Sequence, residues 1–89
     1  MLSWVLGETR YAYSEVISSV PVAVSSATYE IFDIEDESTV ASGVASISSQ
    51  IIYCLWQPTE VGVYVVDFDY VVGEQTFTSR QVIEVKETM

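Results

Sequence analysis

The run Gln57-Pro58-Thr59-Glu60-Val61-Gly62-Val63-Tyr64-Val65-Val66-Asp67-Phe68-Asp69-Tyr70-Val71-Val72 decides how this chain is read. From Tyr64 onward, Tyr64, Val66, Phe68, Tyr70 and Val72 recur with period two and share one face of a strand. The other face carries Val63, Val65, Asp67, Asp69 and Val71. A wholly apolar face backed by a partly acidic one belongs to an antiparallel sheet with one side on a core.

Strand patterns continue on both sides of that run. After it, Gly73-Glu74 reads as a two-residue hairpin turn and residues 75–86 as the last strand. There Phe77, Ile83 and Val85 are in phase and Val82 is not, so a bulge is expected between Ser79 and Val82. Before it, residues 50–56 set Ile51, Tyr53 and Leu55 against Ile52, Cys54 and Trp56, and Pro58 ends the strand. Residues 38–47 are rich in small side chains and read as an edge strand bent at Gly43. Residues 2–6, 9–17 and 26–34 complete a count of seven. Seven short strands without a helical period predict an all-β, immunoglobulin-like β-sandwich of about seven antiparallel strands, one domain over residues 1–89.

Composition agrees with that class. Apolar residues make up 49% and are biased toward Val, Ile, Tyr and Phe, enough to fold despite a net charge of −10. Thirteen acids against Arg10, Arg80 and Lys86 argue against nucleic acid and anionic membrane as partners. Cys54 is the only cysteine, so no internal disulfide can form, which fits a reducing compartment. The N-terminal residues lack the basic region and apolar length of a signal peptide, and cytoplasmic synthesis is the expectation.

The chain contains no histidine, which removes the usual general base and the Ser-His-Asp arrangement, and it has no glycine-rich phosphate loop. Asp67 and Asp69 lie on one strand face about 7 Å apart and could act as paired carboxylates. The plainer expectation is cross-strand pairing with Arg80, and no enzymatic activity or cofactor is expected. Asp33, Glu35, Asp36 and Glu37 form an acidic run that could ligate calcium through hard oxygens. It lacks the glycine and distal glutamate of an EF-hand, and a solvated turn is the simpler reading. Trp4, Tyr11 and Tyr13 are hard to place inside a sandwich whose core takes Tyr53, Tyr64 and Tyr70, so these three are expected to face a partner. The edge strand 38–47 and the N-terminal strand are the places where a partner strand could add.

The lead-in Glu60-x-Gly62-x-Tyr64 resembles the tyrosine corner of immunoglobulin-like sandwiches, where the tyrosine hydroxyl bonds back to nearby backbone. A wider resemblance runs through Gly7-Glu8-Thr9-Arg10, Ala27-Thr28-Tyr29-Glu30-Ile31, Val40-Ala41-Ser42-Gly43, Trp56-x-Pro58-x-x-x-Gly62-x-Tyr64 and Val82-Ile83-Glu84-Val85. This pattern is similar to the immunoglobulin-like modules of tailed-phage and prophage structural proteins, found in neck, tail and decoration components. The resemblance implies a non-enzymatic assembly or binding role with other protein subunits, a homo-oligomer included, and incorporation into a virion. Similar patterns in bacterial surface repeats imply an alternative, a calcium-dependent adhesion domain using the acidic run at residues 33–37.

Overall fold

A computed structural model describes residues 2–88. All regular structure among them is strand: β1 (Leu2–Val5), β2 (Arg10–Glu15), β3 (Val24–Asp33), β4 (Thr39–Val44), β5 (Ser46–Ser48), β6 (Ile51–Trp56), β7 (Gly62–Val72) and β8 (Gln75–Lys86). They form a five-stranded sheet, β1-β8-β7-β3-β4, and a three-stranded sheet, β2-β6-β5. The inward residues of both sheets make one core, which gives the all-β chain a sandwich-like build.

β7 lies at the centre of the larger sheet for the reason its pattern suggests. Tyr64, Val66 and Phe68 are buried; on β3 Ile31 lies directly across from Val66 and Tyr29 from Phe68, and on β8 Ile83 lies across from Tyr64. From the smaller sheet, Ala12, Ile52, Cys54 and Trp56 meet them. Ala12 sits opposite Cys54 on the neighbouring strand, and their small side chains leave room for the larger groups opposite. One end of the core is aromatic: Trp56 lies 5.4 Å from Trp4 and 5.1 Å from Tyr64, ring centre to ring centre. The Arg10 guanidinium covers the Trp4 ring at 5.1 Å.

Three expectations need correcting. The count is eight strands rather than seven, because residues 38–47 do not form one strand. The chain leaves the larger sheet after Val44 and enters the smaller one at Ser46, and buried Ala45 makes the crossing with its N–H on the Ala27 carbonyl at 3.0 Å. Nor are all pairs antiparallel: β1 runs parallel to β8, with Trp4 opposite Val85. Finally, the β7–β8 ladder keeps one register from Gly62↔Val85 to Val72↔Gln75, without the bulge expected between Ser79 and Val82. Val82 lies on the outer face opposite Val65, so an apolar residue out of phase needs no bulge. Gly73, with φ of 63°, starts the tight turn that sets this register.

Candidate functional site

Apolar side chains gather on the outer side of the three-stranded sheet. The β2–β6 register places Tyr11 beside Leu55, Tyr13 beside Tyr53 and Glu15 beside Ile51, and β5 adds Ser46 and Ser48 along the far side. Their neighbours Ala12, Ile52, Cys54 and Trp56 point inward, so alternation drives these residues outward. Tyr11 and Tyr13 are each 60% exposed, Leu55 54% and Ile51 40%. The Tyr11 and Tyr53 rings meet edge to face at 5.5 Å, which holds both in place over a shallow hollow lined by Tyr11, Tyr13, Ile51 and Tyr53. Among the described residues, Glu15 is the only charged one on this face. Beside it, a cleft of about 480 Å³ between β2 and β8 is lined by Leu2, Tyr13, Ile17, Gln81 and Val82.

Of the aromatic residues expected to face a partner, Tyr11 and Tyr13 lie here and Trp4 does not. Trp4 is 2% exposed, locked between Trp56 and Val85, because the parallel pairing of β1 with β8 turns its side chain into the core. Tyr53, expected in the core, is half-buried on the outer face. β6 is apolar on both sides, so its period alone cannot select the inner one. What selects the inner side is the pairing with β2, which sets Cys54 opposite buried Ala12.

The other candidates stand apart from this face. The Tyr64 hydroxyl donates to the Glu60 carbonyl at 2.9 Å, and Gly62 has φ of 151°, a conformation that L side chains rarely adopt. Burial, with the charges of Asp33, Glu60 and Asp36, holds the Tyr64 phenol above its ordinary pKa. In the acidic loop, the Asp33 carboxylate accepts from Glu35 N–H at 2.8 Å. That of Asp36 accepts from Ser38 Oγ and N–H at 2.7 and 2.9 Å, which lowers its pKa. These carboxylates fold the turn, with Glu37 at φ of 59°, and among the described residues no three acidic, cysteine or histidine side chains are gathered as a metal site. Asp67 and Asp69 are held on the opposite outer face. Arg80 grips Asp67 through Nε at 2.7 Å and Nη2 at 2.9 Å, and the Thr78 hydroxyl donates to Asp69 at 2.6 Å. Burial pushes the Cys54 thiol up to about 11.

No family model matches the chain. No curated protein matches it either. Among solved structures, the crystal structure of an engineered protein, a Northeast Structural Genomics Consortium target, is similar with a TM-score of 0.73 at 15% identity. The match covers 96% of this chain and 18% of that one, so the chain spans about a fifth of that protein's length. At such identity the likeness is one of fold alone.

Proposed function

We propose that this chain is a non-enzymatic assembly or binding module. In this reading it is an immunoglobulin-like sandwich of the kind built into tailed-phage or prophage particles as a neck, tail or decoration component. The observation that carries the binding role is the outer face of the three-stranded sheet, where Tyr11, Tyr13, Tyr53, Ile51 and Leu55 lie together with one charge among them. Tyrosine-rich, nearly uncharged patches of this kind have the composition of a contact-surface core, and water is a poor permanent neighbour for them. The immunoglobulin-like reading is supported by the strand order of the two sheets, the parallel β1–β8 pair and the Tyr64–Glu60 bond. The virion reading rests on sequence resemblance.

The test is co-expression with the proteins encoded beside this chain in its genome. The reading predicts a stable complex with at least one of them, which Leu55→Lys weakens by about tenfold or more while leaving the fold intact. A complex unaffected by Leu55→Lys and by Tyr11→Lys would remove the face as contact surface. Failure to pair with any neighbouring product would count against the virion reading.

A further inference from the structure

The two lateral sides of the molecule are finished differently. On one side run the edge strands β1 and β2. Leu6 N–H donates to the Lys86 carbonyl at 2.7 Å, so by alternation Ser3 and Val5 turn their backbone groups away from β8. Most of those groups are already used. Arg10 donates to the Ser3 carbonyl at 3.3 Å, Glu8 N–H to the Val5 carbonyl at 3.0 Å, and Val5 N–H to the Glu8 carboxylate at 3.4 Å. On β2 the Tyr13 carbonyl accepts from the Gln81 side-chain amide. This side is partly closed by its own side chains, most completely along β1.

The side formed by β4 is open. Ala45 N–H bonds the Ala27 carbonyl, and the register pairs Gly43 with Tyr29 and Ala41 with Ile31. Alternation therefore points the N–H and C=O groups of Ser42 and Val44 away from β3, at the free margin of the five-stranded sheet. Val44 is 83% exposed. The strand Thr39–Val44 contains no charged residue and no proline, the devices that commonly blunt an edge. A register shift near Val40 confines the open stretch to residues 41–44.

The unpaired charges around that stretch are acidic. Glu30 lies directly opposite Ser42 and is held toward β4 by the Thr39 hydroxyl at 2.7 Å. The hairpin loop entering β4 carries Glu35, Asp36 and Glu37. Arg10 by Glu8 and Lys86 by Glu84 lie elsewhere, while Arg80, the one cation nearby among the described residues, reaches over the Phe32 ring of β3 at 5.7 Å but is held by Asp67. A second copy at this edge would bring two chains of net charge −10 together with their acidic loops near the seam. Phosphate-bearing ligands meet the same repulsion.

We propose that the β4 edge accepts an extended peptide strand carrying lysine or arginine, which extends the five-stranded sheet by one strand through the backbone of Ser42 and Val44. The open groups supply affinity, and Glu30 with the loop acids selects the basic side chains. This inference rests on the chain being a binding module, but its surface is separate from the tyrosine face, so each can fail alone.

The experiment is a titration of isotope-labelled protein with a short alternating lysine–valine peptide, with a glutamate–valine peptide as counterpart. The lysine peptide should shift the Ser42 and Val44 amides and slow their exchange by about tenfold. Raising ionic strength from about 0.01 to 0.15 M should weaken binding several-fold. Val44→Pro removes one outward donor without touching the β3 ladder and should lower affinity by about tenfold. Val44→Lys, which leaves the backbone intact and repels the peptide, should do the same even if the proline variant fails to fold. Equal binding of the glutamate peptide, shifts centred on Tyr11, Tyr13 and Tyr53, or no response at Ser42 and Val44 at millimolar peptide would overturn the proposal. Protection of those two amides that grows with protein concentration in the absence of peptide would also overturn it, by giving the edge to a second copy.

Discussion

The two sheets contribute alike to the interior and differ on their outer sides. On the five-stranded sheet, the acids of the outer face have partners on the next strand: Asp67 with Arg80, Asp69 with Thr78 and Glu30 with Thr39. On the three-stranded sheet, Tyr11, Tyr13, Tyr53, Ile51 and Leu55 are left to solvent with Glu15 alone among them. Burying apolar surface is worth about 25 cal/mol per Å², so the second face holds association free energy that the first lacks. One side of the sandwich is polar and internally paired, and the other is apolar and is the contact side in the proposed reading.

Four perturbations break or sharpen that contrast. The largest removes what both faces stand on. Trp4→Ala empties the aromatic end of the shared core and should cost about 3–5 kcal/mol in urea unfolding, abolishing both faces together. The next separates the two sides of β6, where Cys54 points inward between outward Tyr53 and Leu55. Its thiol is raised from 9.0 to about 11, so the folded state favours the neutral form. The stability this lends is whole below about pH 9 and is lost as pH rises toward 11, on the order of 2 kcal/mol. Tyr64 adds to the alkaline loss, so the readout is the difference in pH profile between the native chain and Cys54→Ala, which should be the flatter.

Smaller effects are expected outside the core. Arg80→Ala breaks the bidentate grip on Asp67, yet the arginine side chain is 62% exposed and screened by solvent, so the loss in urea unfolding should be slight and partner binding unchanged. A loss of complex on this change would put contact on the polar face and reverse the comparison. The smallest is calcium. The carboxylates of Asp33 and Asp36 already accept hydrogen bonds within their turn, so millimolar calcium should leave Tm unchanged. A rise of several degrees would make the acidic loop a ligand site and favour surface adhesion as the role.

The central hairpin could be read from the sequence because local chemistry specifies it. The strict alternation from Tyr64 to Val72 selects a face, and Gly73 selects the turn. What local pattern does not carry is which strand lies next door. Nothing in Leu2–Val5 announces a parallel partner at the opposite end of the chain, and that pairing alone turns Trp4 inward. The break at Ala45 was equally hidden: a small residue crossing between sheets looks like one more position in a small-residue strand. Of the exposed aromatic face, the outward placement of Tyr11 and Tyr13 was legible because their strand is otherwise polar. Tyr53, Ile51 and Leu55 were not, because β6 offers two apolar sides and only tertiary pairing chooses between them.

The most direct measurement of the face's role is tyrosine nitration read residue by residue, on the chain alone and on its complex with a partner encoded beside it. Tyr11 and Tyr13 should react readily in the free chain and become protected in the complex, while buried Tyr64 stays slow in both. A stable complex in which Tyr11 and Tyr13 remain as reactive as in the free chain would contradict the account.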